Sequence, residues 1–271
     1  MSKASVVILG LFAAAALVGP ALAPYHPRDE VDAPLQRPSA RHLLGTDGVG
    51  RDVLSQVIAG SRVSLAVGLS AGLAATAVGV LVGLLAGYLG GAVDALLMRA
   101  VDVFLCLPRL PLLILLAAYL GAGPAVLVVA FAAISWSIPA RVVRAQVLVS
   151  KQRAYVASAR LSGARPLYAM RKHILPALGP LVMAIAIMET SHAVMAEAGL
   201  SFLGLGDPTC VSWGTILHHA FAYPALFLGD LWLSWALPPG LCLSLLLLGL
   251  ALMGMSIEAR LDPRLKGTRL G

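Results

Sequence analysis

Residues Lys151–Pro176 read KQRAYVASARLSGARPLYAMRKHILP. Long apolar stretches lie on both sides. The segment carries Lys151, Arg153, Arg160, Arg165, Arg171 and Lys172 and no acid, with Arg141 and Arg144 just upstream. A basic loop between membrane spans belongs on the cytoplasmic side. Its first half has the pattern of a short helix. Ser150 is the expected N-cap, and Gly163 can take the left-handed conformation that ends a helix. Ala157, Ser158 and Ala159 give that helix a face with almost no bulk. Such a helix is either surface filler or a plug that seats in another protein.

The rest of the chain is organised around this loop as a membrane protein. Of its 271 residues 59% are hydrophobic and only 12% charged, where a soluble domain carries about a quarter charged. Mean hydropathy is +0.88. The net charge of +7 does not call for nucleic acid, because a membrane topology accounts for where the basic residues lie. Cys106, Cys210 and Cys242 are far apart without a CxxC pair, which argues against a disulfide framework or thiolate metal site. Cys210 with His218 and His219 forms the remaining metal-ligand candidate, on the external side.

The apolar pattern predicts an all-α protein with about six transmembrane helices. The first is 5–23, closed by Ala21-Leu22-Ala23, which resembles a signal-peptide cleavage site. Residues 24–62 are polar and Pro-rich and hold five basic residues and five acids, as suits an external loop. The second span covers 63–93. Gly79, Gly83, Gly87 and Gly91 recur every four residues, and Gly68 and Gly72 repeat the spacing, which predicts close helix packing. Asp94, Arg99 and Asp102 mark a short cytoplasmic turn, and Pro108 and Pro111 around Arg109 predict a kink. Gly121-Ala122-Gly123-Pro124 divides 110–140 into a third and a fourth span. The fifth runs from about Leu181 to Leu200 and the sixth from about Leu231 to Ile257.

Charge sets the orientation. With the N-terminus inside, the cytoplasm receives Lys3, Arg99, the eight basic residues from Arg141 to Lys172 and four in the tail, fourteen of the twenty in the chain. The external five are balanced by acids, so the inverse orientation violates the positive-inside bias. Within the fifth span, Glu189 falls about eight residues in, roughly 12 Å at a helical rise. An ionised acid at that depth must face protein or water, and His192, three residues on, shares its side of the helix. Either Glu189 only holds the bundle together, or Glu189 and His192 border a polar path through it.

Several chemistries are disfavoured. There is no HExxH, and no Gly-Lys pair exists to make a nucleotide loop from Gly45, Gly48 and Gly50. No nucleophile with its base stands at plausible depth.

Three stretches carry a resemblance. In the basic loop, Ala157, Ser158 and Ala159, then Gly163, then His173, Leu175 and Pro176 resemble the cytoplasmic signature of ABC importer permeases, Glu-Ala-Ala, three residues, Gly, nine residues, Ile-x-Leu-Pro. Ala157 replaces the acid and His173 the Ile. HLLGTDGVGRDVLSQVIAGSRVSLAVG, from His42, resembles the N-terminal signature of the peptide and nickel branch, and AEAGLSFLGLGDP, to Pro208, its external loop. The likeness runs from about His42 to Lys266.

The resemblance implies a type I ABC importer permease fold: a first helix and external loop over 1–62, a core domain over 63–258 with a coupling loop at 141–178, and a cytoplasmic tail over 259–271. It implies that Tyr155, Ala157, Ser158, Ala159, Arg160, Gly163 and Pro176 couple the chain to an ATPase. The implied partners are a second, related permease subunit, two ABC ATPase subunits that carry ATP and Mg, an extracytoplasmic substrate-binding protein and the lipid bilayer. It implies no catalysis and no cofactor on this chain, and residence in a prokaryotic inner membrane with both termini cytoplasmic. Peptides, nickel or a related small solute all fit the branch. A stand-alone secondary transporter is the alternative, although the halves show no convincing repeat.

Overall fold

The computed structural model describes residues 3–121 and 123–261. Among them the regular structure is helical. The elements are α1 (Lys3–Leu22), α2 (Val53–Leu89), α3 (Gly91–Cys106), α4 (Arg109–Leu120), α5 (Pro124–Ser135), α6 (Ser137–Lys151), α7 (Ala154–Leu161), α8 (Pro166–Ala169), a π-helical turn Met170–Ile174, α9 (Leu175–Phe202), α10 (Trp213–Phe221), α11 (Leu231–Trp235) and α12 (Leu237–Leu261). Ala122, within the expected break, and 262–271, most of the expected tail, lie outside the described residues.

Three continuous runs, Val53–Leu89, Pro166–Phe202 and Leu237–Ile257, are long and apolar enough to cross a membrane. Two bent pairs, α3 with α4 at 85° and α5 with α6 at 44°, bring the spans to five. α1 is a shorter apolar helix over Lys3–Gly19, and with it the helices accommodate the expected count of about six. The α3–α4 bend falls at Leu107-Pro108, where the prolines predict it.

α2 is the centre of the bundle. Gly68 and Gly72 face α9, and Gly79, Gly83 and Gly87 face α6. A Cβ at Gly72 would stand 2.5 Å from the backbone of Thr190, and one at Gly83 2.5 Å from the Ala140 carbonyl oxygen. Small residues at these positions let backbones touch, which is how helices gain contact in lipid. Gly91 does not extend the stripe. It opens α3 after the chain has left α2, and a Cβ there would touch nothing.

Four boundaries differ from the sequence expectation. α2 begins at Val53, so the external loop ends ten residues before 62. The reason is Asp52, whose carboxylate accepts from the Ser55 amide as N-cap. Asp94, Arg99 and Asp102 belong to the helix α3 rather than a turn. Ser150 is buried in the last turn of α6 and does not cap α7. The fifth span is a continuous helical run from Pro166, so Pro176 sits inside it. Proline at 176 has no N–H and its ring crowds the carbonyl four residues back. The preceding turn is π-helical, with the Leu175 amide reaching back to Met170 O, and so makes room for that ring.

The loop before α2 is an ordered cap. Asp52 also accepts from the Ser55 hydroxyl at 2.7 Å and lies 2.9 Å from His42 Nδ1. Asp47 accepts from the amides of Val49 and Arg51 and from Gln56 Nε2. Gly50 has φ +89 and lies against Asp32 O. The glycines here fold the cap onto α2, a physical reason for their presence that needs no nucleotide.

Candidate functional site: a docking loop and a mid-span acid

Among the described side chains of α7, Val156 is the buried one. Val156 is fully buried in the cluster with Tyr88, Val143, Val147, Met170, Ile174 and Leu178. Tyr155 and Ser158 are exposed and Ala159 half-buried. Ala157 and Arg160 belong to α7 by their backbone, and their side chains lie outside the described set. Gly163 has φ +84, and the Ala164 amide reaches back to Ala159 O at 3.0 Å. This is a Schellman stop, which favours glycine. A Cβ at Gly163 would touch nothing, so the surface there is open. A groove beside α7 is lined by Ala159, Ser162, Gly163, Arg165, Tyr168 and His173. The His173 ring lies 6.2 Å from that of Tyr155 and 5.8 Å from that of Tyr168. Pro176 is exposed on the stem below. Sequence reading did not single out Val156; the signal available was an isolated β-branched residue among small and basic neighbours.

The stem is braced. Lys151 Nζ donates to Tyr88 O at 2.6 Å, Arg144 Nη2 to Asp94 at 2.6 Å, and Arg141 pairs with Asp102. α3 is thereby tied to α6, the helix that leads to α7.

At the level of Glu189 the structure brings three groups together. Glu189 is buried, with 3% of its side chain exposed. Its Oε2 lies 3.8 Å from Arg109 Nη1 on α4 and 3.8 Å from His192 Nδ1. His192 is half exposed, and both residues line a groove of about 540 Å³ between α6, α9 and α12 that includes Ile138, Met188 and Leu250. Arg109 is the partner that sequence reading missed. Glu197, eight residues on, was missed as well. It is buried and accepts from the hydroxyls of Ser64 on α2 and Ser201, each at 2.9 Å.

On the opposite face, His218 Nδ1 lies 2.8 Å from Phe202 O. Burial pushes the His219 pKa down. Thr209 donates to Asp207 through its hydroxyl and its amide and holds that carboxyl below its ordinary range. No cluster of three or more His, Cys, Asp or Glu side chains suited to a metal occurs among the described residues, so Cys210, His218 and His219 do not form the site considered for them.

A bundle of about six spans with a small helix on its basic end defines a polytopic membrane protein. Residues 79–267 match the family described as binding-protein-dependent transport system inner membrane component. The chain is 43% identical over 257 residues to the dipeptide transport system permease protein DppC of Escherichia coli K12, covering 90% of this chain and 83% of that one. It is 40% identical over 260 residues to the di/tripeptide transport system permease protein DppC of Pseudomonas aeruginosa, covering 93% and 84%. It is 34% identical over 267 residues to the nickel transport system permease protein NikC of Escherichia coli K12, covering 97% and 94%. The chain belongs to this family: it is the multi-span inner-membrane permease component of an ABC importer, a protein that works with other permease, ATPase and binding-protein subunits. Nothing in the structure or the relatives favours a stand-alone secondary transporter.

Proposed function

We propose that the chain forms half of a translocation pathway for a peptide, nickel or a related small solute and is driven through α7 by ATP hydrolysis on separate subunits. The observation that carries this is α7 itself, an exposed eight-residue helix held at Val156 and stopped by a left-handed Gly163. Tyr155, Ala157, Ser158, Ala159, Arg160 and Gly163 form the docking surface and Pro176 its stem. ATP and Mg reside on the two ATPase subunits, and a second, related permease completes the path. Cargo arrives on the external binding protein. The domain division 1–62, 63–258 and 259–271 follows this reading, with α2 as the shared axis of the first two. Both termini are cytoplasmic, as the charge asymmetry supports.

The mechanism is alternating access. Closure of the ATPases moves α7, the braced stem of α6 and α9 follows, and the path beside Glu189 and His192 changes the side to which it opens. The groove at these residues supports their place on the path.

The test is a cross-link. In a background without native cysteines, Ser158→Cys should form a disulfide with a cysteine placed in the docking cleft of the ATPase subunit. A cysteine at Leu43, which is 63% exposed on the opposite end, should not. Equal yields from both positions would overturn the docking role of α7.

A further inference from the structure

The groups around Glu189 are poised rather than joined. Oε2 of Glu189 and Nη2 of Arg109 are both buried and lack a hydrogen-bond partner. Their carboxylate and guanidinium stand 3.8 Å apart at the nearest approach. A shift of roughly 1 Å would bring them to the ~2.8 Å of a charge-assisted bond, with the bidentate geometry that arginine offers. Buried polar atoms are rarely left unpaired. An unpartnered carboxylate oxygen 3.8 Å from a guanidinium that itself has an unpartnered nitrogen is the arrangement expected of a pair caught between two states.

Arg109 also sits where movement would be delivered. It is the first residue of α4, directly after the 85° bend that separates α4 from α3. α3 is tied to α6 by Asp94–Arg144 and Asp102–Arg141. α6 ends at Lys151, and α7 begins at Ala154. The chain of rigid parts from the docking helix to the mid-span acid is therefore α7, α6, α3 and the Pro108 bend. α4 packs mainly on α5 and only lightly on α9, so Arg109 can approach or leave Glu189 without α9 moving.

We infer that Arg109 is a positioning residue whose ion pair with Glu189 is made in one access state and loosened in the other, with α3 as the lever that carries the motion of α7 to it. The inference rests on the reading of α7 as the ATPase-coupling helix. It adds a latch at mid-span and a route to it.

The test uses the complete importer with its ATPases and binding protein in vesicles. Arg109→Gln and Glu189→Gln should each lower transport about tenfold, within the usual range of coupling between sites, while ATPase subunits copurify at the wild-type ratio. The exchange Arg109→Glu with Glu189→Arg should recover most of the transport. A second measurement does not depend on those variants. Cysteines at Leu113 and Ala193, each four residues beyond a latch residue and members of one apolar cluster, should cross-link to different extents in nucleotide-free and vanadate-trapped importer. Asp102→Asn together with Asp94→Asn should reduce that difference. Wild-type transport in Arg109→Gln, or a Leu113–Ala193 yield indifferent to nucleotide, would overturn the latch and leave the docking role of α7 standing. Loss of ATPase subunits from Arg109→Gln would also overturn it, since that marks a folding defect rather than a failed latch.

Discussion

Two glutamates on α9, eight residues apart, are both buried, and they differ in what surrounds them. Glu197 accepts from Ser64 and Ser201 at 2.9 Å. Its neighbours are the α2 face, where Gly68 meets Val194, and Trp213, whose Nε1 donates to Val57 O at 2.9 Å. Glu189 has no group within hydrogen-bond reach of its Oε2, only Arg109 and His192 at 3.8 Å and an open groove beside it. A fully satisfied polar network fixes one arrangement, while a partly satisfied one leaves energy to be gained by moving. One helix therefore carries an acid held in a single arrangement toward the external loops and, at mid-span, an acid whose ion-pair partners can rearrange.

Forcing α2 and α9 apart has the largest expected effect. Gly72→Leu places a side chain where even a Cβ would stand 2.5 Å from Thr190 backbone atoms. A backbone cannot swing aside, so the cost is at or above the ~1–3 kcal/mol of ordinary overpacking. Little folded protein should be recovered after detergent extraction. Recovery at the wild-type level, measured by size-exclusion chromatography, would mean that α2 and α9 are not locked together.

A smaller effect separates the two acids directly. Glu197→Ala strands the Ser64 and Ser201 hydroxyls in a buried site, at about 1–3 kcal/mol, and should lower the melting temperature of the purified permease. Glu189→Gln loses no formed hydrogen bond and should lower the melting temperature less than Glu197→Ala does, while transport changes. Comparable losses of stability in the two variants would erase the distinction between a fixed and a movable acid.

Much of this organisation is legible in the sequence because it depends on local pattern. Glycines four apart announce the α2 faces at Gly68–Gly72 and Gly79–Gly87, and Pro108 announces the bend. The acid-free loop announces α7, and Gly163 its end. What could not be read depends on partners far away in the chain. Glu197 meets Ser64 across 133 residues, and Arg144 meets Asp94 across 50. The start of α2 was missed because Asp52 and Asp47 look like loop acids until His42, Ser55 and Gln56 are seen bonded to them. Val156 looks like any single apolar residue until the ends of α2, α6 and the π-helical turn close around it.

Gly163→Asp tests most directly whether α7 transmits the motion of the ATPases. A Cβ at 163 touches nothing, so the cost to the chain is the left-handed backbone alone, about 1 kcal/mol or somewhat more. The permease should insert, and its spans should assemble. The added carboxylate then stands on the docked surface. The measurement is ATP-driven uptake by vesicles holding the complete importer and its binding protein, normalised to the permease present. Uptake is predicted to fall to background in Gly163→Asp. Uptake at the wild-type rate would contradict the coupling role of α7.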